Sequence, residues 1–192
     1  MKYFRIEIAP VEDLDVCCIE DIPKEIGNMS HRFHLGRAFG AKLPERSRAY
    51  MDKGSGMKLA SLIPNTDNML LVHRTVKDVI EAEARGGTIE YLPVSIYNHK
   101  KRLASDDYFI VHPVGAVDCL DLPASDIKYL DGEVVTVRKM ILSPEKLEEA
   151  PDLFRVEEDP AVYLISERLL EKLRNSGFEL TNFYATLVES SK

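Results

Sequence analysis

The sequence predicts an α+β protein built from antiparallel or mixed sheets and a few short helices. Three observations carry this. Short segments rich in Val, Ile, Tyr and Phe either alternate at period two or run apolar, as strands do. They outnumber the apolar stripes of helical spacing, and those stripes fall between them irregularly, without the regular alternation of a doubly wound sheet.

The first strand is expected at 2–8, where Phe4, Ile6 and Ile8 alternate with Arg5 and Glu7. Residues 10–66 carry Pro10, Pro23, Pro44, Pro64 and several glycines, and read as loops, turns and one short helix. The expected division is therefore an irregular N-terminal portion, 1–66, joined in one compact unit with a patterned portion, 67–192.

The signal sharpens at a short apolar strand, 69–72. Thr75 is a candidate N-cap with Asp78 three residues on, and Val76, Val79 and Ile80 make a helical stripe. Arg85 and Gly86-Gly87 form the stop. A strand follows at 89–97, where Pro93 demands an edge position or a bulge. Further strands are expected at 107–112, 116–120 and 133–142, with a short helix from Ser143-Pro144 to about 149. The chain ends on a second strand–helix–strand unit: a strand at 162–165, Ser166 as N-cap, a stripe of Leu169, Leu170 and Leu173, a stop at Gly177, and a strand at 181–188. At an offset of 93, Leu71 meets Leu164, Thr88 meets Thr181 and Tyr91 meets Tyr184, which allows the two units to be related halves.

Composition narrows the function. Cys17, Cys18 and Cys119 make a poor disulfide framework and lack metal-ligand spacing. The opening residues MKYFRIEIAP break any apolar run with Lys2, Arg5 and Glu7, and no later segment approaches the roughly 20 apolar residues of a membrane span. A cytoplasmic protein with no membrane contact is expected. A net charge of −7 opposes direct nucleic-acid binding and favours a basic macromolecular partner. The acids cluster at 11–25, 106–133 and 145–159, whereas Arg32, Arg37, Lys42, Arg46 and Arg48 gather bases.

No constellation argues for catalysis. His31 and His34 have the i, i+3 spacing of a shared metal, but no third ligand stands at a familiar distance and Arg32 and Arg37 repel a cation. Asp106 and Asp107 point to opposite faces of a strand, and Asp118 and Asp121 do the same. Gly54-Ser55-Gly56 matches neither a phosphate loop nor a nucleophile elbow. No catalytic residue, metal or cofactor is expected.

An ordered series of motifs adds to this reading: Tyr91-Leu92-Pro93-Val94, DYFIVHP from Asp107, VDCLD from Val117 with Ser125 after it, LFR from Leu153, LISERLLEKL from Leu164, then Gly177 and Phe183. The series resembles immunity protein family eleven of bacterial polymorphic-toxin and type VI secretion systems, from about residue 68 onward. Family members often carry a second glycine where this chain has Leu180. The resemblance implies an antidote that neutralises a cognate toxin, in many such systems a nuclease, by protein–protein contact. An acidic inhibitor suits a cationic active site, so partner contacts are expected at Glu157, Glu158 and Asp159, with Glu148 and Glu149 beside them. Self-association is compatible with the sequence. The alternatives are an enzyme in which His73 or His112 meets carboxylates, and an adaptor that binds a secreted effector.

Overall fold

The computed structural model describes residues 1–8 and 13–191. Two four-stranded sheets and a hairpin organise them. Sheet I has the order β10 (Tyr184–Leu187), β1 (Tyr3–Glu7), β9 (Tyr163–Ser166), β8 (Leu153–Arg155). Sheet II has the order β2 (Ser47–Tyr50), β4 (Thr88–Tyr97), β5 (Leu103–Val114), β3 (Leu71–His73). Both sheets are wholly antiparallel except for the parallel pair β2–β4. The α+β class stands.

The two strand–helix–strand units share one topology. Helix α3 (Arg74–Glu83) links β3 to β4, and β5 lies between those strands, antiparallel to both. Helix α4 (Glu167–Arg174) links β9 to β10, and β1 lies between them in the same way. The residues that cap the helices, His73 and Ser166, are separated by the same offset of 93 (166 − 73) as the matching side chains. The N-cap of α3 is therefore His73, not Thr75. Its Nδ1 accepts from the Thr75 amide at 3.3 Å, so the helix starts before the expected cap.

Three cores hold the layers. The central one joins Val76 and Ile80 of α3, Leu169, Leu170 and Leu173 of α4, Ile6 and Ile165 of sheet I, and Val72 and Val111 of sheet II. The alternation of Phe4, Ile6 and Ile8 places them on this face, while Tyr3 points the other way. Each fully buried Leu or Ile contributes about 1.5–3 kcal/mol by leaving water. A second core lies on the opposite face of sheet II, where Ile19, Ile26, Phe33 and Phe39 cover Leu71, Leu92, Val94, Ile96 and Ile110. The third covers the outer face of sheet I: Cys119, Leu120, Leu142 and Leu147 pack on Tyr3, Phe154 and Leu164.

Several expected elements take another form. The 10–66 stretch, where described, holds β2, two α-helices, α1 (Lys24–Gly27) and α2 (Ser30–His34), and a single 3-10 turn at Gly40–Lys42. Its expected features at Pro10 and Glu12 lie outside the described residues. The segment 116–120 is held only by isolated bridges at Val117 and Leu120. The strand expected at 133–142 is β7 (Glu133–Lys139), paired with an unanticipated β6 (Asp126–Leu130) across Asp131 and Gly132, both left-handed. Residues 144–149 form tight turns, not a helix: Leu147 N donates to Pro144 O and Glu148 N to Glu145 O, each three residues back. Pro93 takes an edge position as expected, because β2 pairs with β4 only from Val94 onward.

Candidate functional site

The residues expected to meet a partner lie around the connection between β8 and β9. Val156 N donates to Val162 O at 3.2 Å and Val162 N to Asp159 O at 2.9 Å, so residues 157–161 form a short closed loop that displays Glu157, Glu158 and Asp159. A parallel bridge between Val117 and Val156, with Glu157 N donating to Val117 O at 3.1 Å, brings Asp118 alongside. Asp118 was not among the expected contacts, because its neighbourhood depends on a pairing nearly forty residues long in sequence, between Val117 and Val156.

Glu148 and Glu149 follow Lys146 in the chain. Both are exposed on the turns at 144–149, which are anchored by the buried Leu147. Lys146, two residues before Glu148, donates to Asp118 Oδ1 at 2.6 Å and to Leu120 O at 2.9 Å. Asp118 and the cluster at 157–159 are therefore joined to the 144–149 turns by one ion pair. The Lys146 ammonium pairs with Asp118 and also acts on the Glu158 carboxylate.

Glu158 differs from its neighbours. One carboxylate oxygen, Oε2, is buried and has no hydrogen-bond partner among the described residues. Burial, and then the negative charges of Asp118 and Glu157, hold its carboxyl above the usual range, against the opposing pull of its own backbone amide and of Lys146. The unmatched Oε2 is receptive to an external cation or N–H group.

Several acids elsewhere are engaged in ion pairs. Asp13 pairs with Lys58 at 2.7 Å, Glu25 with Arg48 at 3.0 Å, Asp106 with Arg46 at 3.5 Å and Asp107 with Arg74 at 2.9 Å. The basic group noted in the sequence is thus partly neutralised, and Arg32 turns inward to Ala38 O at 2.6 Å.

The histidines do not assemble an acid–base site among the described residues. His73 bonds Thr75 and packs edge-on against Tyr108. His112 is fully buried between Phe33 and Phe39, with Arg155 and the Arg37 carbonyl as its polar partners. Its cross-strand neighbour Glu90 binds the amides of Phe39 and Gly40 at 2.9 and 2.8 Å. His34 bonds Ser30 O at 2.8 Å, and no three His, Cys, Asp or Glu side chains are placed to hold a metal among the described residues. The three cysteines are free thiols.

A family model described as Immunity protein family (Imm11) matches residues 3–187. The chain belongs to this family. The match begins at β1 and so takes in the N-terminal portion, whose motifs alone were uninformative. Membership supports an immunity role, exercised by binding a cognate toxin. No curated protein matches the chain. Among the described residues, no helix is long and apolar enough to cross a membrane.

Proposed function

We propose that this Imm11 protein neutralises its toxin in the cytoplasm by docking the acidic face formed by Asp118, Glu157, Glu158 and Asp159, flanked by Glu148 and Glu149, onto a cationic surface. The observation that supports this best is the half-buried Glu158 carboxylate with its unmatched Oε2. In the free protein that oxygen is desolvated without compensation, and an arginine or lysine from a partner would supply the missing donor. A nuclease, whose substrate cleft must attract phosphates, has such a surface, and the acidic face would enter it as a phosphate mimic.

Co-expression with the product of the neighbouring toxin gene tests the function: survival and a stable complex are expected, whereas turnover of a substrate would favour the enzyme reading and binding without protection the adaptor reading. The triple reversal Glu157→Lys, Glu158→Lys, Asp159→Lys tests the placement. Association should slow by about 10-fold or more, with a flatter dependence on salt. An association rate and salt dependence equal to wild type would move the interface elsewhere.

A further inference from the structure

Sheet II is covered unevenly. On the face that carries Tyr91, α3 and its Lys77, which lies 5.2 Å from the centre of the Tyr91 ring, cover the first half of β4. At the other end of the strand the cover stops. Tyr50, Tyr97 and Leu103 form one cross-strand row by register, and Tyr50 and Leu103 are 43% and 51% exposed. The rings of Tyr50 and Tyr97 lie 5.5 Å apart at 30°.

Opposite charges flank this row. Beyond Tyr97 the β4–β5 turn carries Lys100, Lys101 and Arg102, all exposed and in no ion pair among the described residues. The turn is fixed: Asn98 Oδ1 accepts from Lys100 N at 2.9 Å and Arg102 N at 3.1 Å, and Lys101 is left-handed. On the outer side of β2, Ile19 bridges Met51 and Asp52 N donates to Cys18 O, which brings Glu20, Asp21 and Asp52 round a cavity of about 330 Å³ that Tyr50 also lines. Lys24 and Lys53 line the same cavity and offset part of the charge, while Arg48 is taken up by Glu25.

The order across the sheet is therefore basic turn, Tyr97, Tyr50, acidic loop. A partner of one sign would be attracted to one end and repelled at the other, which disfavours nucleic acid. A second copy turned about a two-fold axis through the tyrosines would meet opposite charge at both ends, the self-complementarity that an isologous interface requires. Tyrosines at the centre, Tyr50 exposed and Tyr97 half-buried, with charges at the rim also match the usual anatomy of a protein interface. We infer that two copies of this chain pair across this face, Tyr50 and Tyr97 against their counterparts, with Lys100, Lys101 and Arg102 of each copy on Glu20, Asp21 and Asp52 of the other. This association does not depend on the toxin-binding reading.

Sedimentation velocity across a concentration series at low and high salt tests it. Wild type should form dimers that salt weakens. Two variants, Lys100→Glu/Lys101→Glu and Glu20→Lys/Asp21→Lys, should each lose association by about 10-fold or more, because each sets like charges together at both ends. Mixed in equal amounts, they should dimerise again, since the reversed turn of one then meets the reversed loop of the other at one contact and the unaltered turn and loop meet at the second. Unchanged circular dichroism would show that both are folded. A wild type that stays monomeric throughout, or dimers indifferent to both variants, would overturn the inference; a monomer that loses toxin binding through the first variant would overturn it too and assign the face to the toxin.

Discussion

Arg155 donates to His112 inside the protein, Nη2 to Nδ1 at 3.3 Å. A guanidinium can only donate and a carbonyl can only accept, so His112 must take the Arg155 bond on a bare Nδ1 and give its Nε2 proton to Arg37 O at 3.2 Å. Both ring nitrogens are committed and the imidazole is neutral. Arg155 is itself 1% exposed, donates to Pro160 O at 2.5 Å, and lies over the rings of Tyr163 and Phe33. The pair ties β5 and β8 to the loop before β9 and to α2 of the N-terminal layer.

Acid should loosen this tie. Burial, and then the charge of Arg155, push His112 down to about 4, against an ordinary 6.5. Between those values the unfolded chain binds the proton and the folded one does not, so stability falls as pH drops from about 6.5 toward about 4 and this contribution levels off below. The loss should be on the order of 3 kcal/mol. Thermal unfolding across this range checks it: His112→Gln should be less stable than wild type at neutral pH yet lose less on acidification. Equal slopes for the two proteins would exclude His112 as the group responsible.

Arg155 variants should separate its stem from its charge. Arg155→Ala leaves a cavity beside Phe33 and Tyr163 and removes the donors to Pro160 O and His112, a loss of about 3 kcal/mol or more. Arg155→Met keeps most of the volume and relieves the buried charge, and should lose clearly less. Urea unfolding of both decides this, and a Met variant as unstable as the Ala variant would mean that the charge itself is needed.

Asp152 joins the two helical units. Its carboxylate accepts from Arg85 N at 2.8 Å, from Ser166 Oγ and from the Arg168 guanidinium, while Arg168 also reaches Glu83 O at the end of α3. Burial raises the Asp152 carboxyl, but these donors outweigh it and hold it below the usual carboxylate range. Its stabilising effect is therefore complete at neutral pH and is lost as pH falls below the unfolded value toward the lower folded one. Asp152→Ala should cost about 3 kcal/mol, since it strands the Arg85 amide and a partly buried guanidinium. Asp152→Asn should cost less at neutral pH and lack that acid dependence. Chemical denaturation at two pH values measures both.

What could be read from the sequence follows from where each element's information resides. Helices α3 and α4 announce themselves locally through Val76 and Ile80, and through Leu169, Leu170 and Leu173 behind the Ser166 cap. Strand β2 does not, because its buried positions are Ser47 and Ala49, which leave no apolar alternation to see. Strand β6 was hidden for the opposite reason: it is a largely exposed ribbon. The acidic residues around 157 were visible as composition, but the approach of Asp118 depends on the Val117–Val156 bridge, and the burial of Arg155 on aromatic rings at positions 33 and 163. Long-range pairing leaves no local periodicity to find.

Gly56 gives the sharpest test of the N-terminal layer. The chain at 13–16 runs beside that at 56–58: Val16 bridges Lys58 in parallel, Lys58 N donates to Asp15 O at 2.8 Å, and Cys17 N donates to Lys58 O at 2.9 Å. A Cβ on residue 56 would lie 1.9 Å from Asp15 O and 2.1 Å from its carbonyl carbon. Both are main-chain atoms, so no side chain can turn aside, and the two segments must separate. Gly56→Ala should therefore cost about 2 kcal/mol or more and expose the amides of Cys17 and Lys58 to exchange, while Gly54→Ala, whose Cβ would meet only the Asp52 carboxylate at 3.1 Å, should cost much less. Hydrogen exchange with unfolding measurements on the two variants decides the matter, and equal losses would show that the close approach of Gly56 to Asp15 is not what holds these segments together.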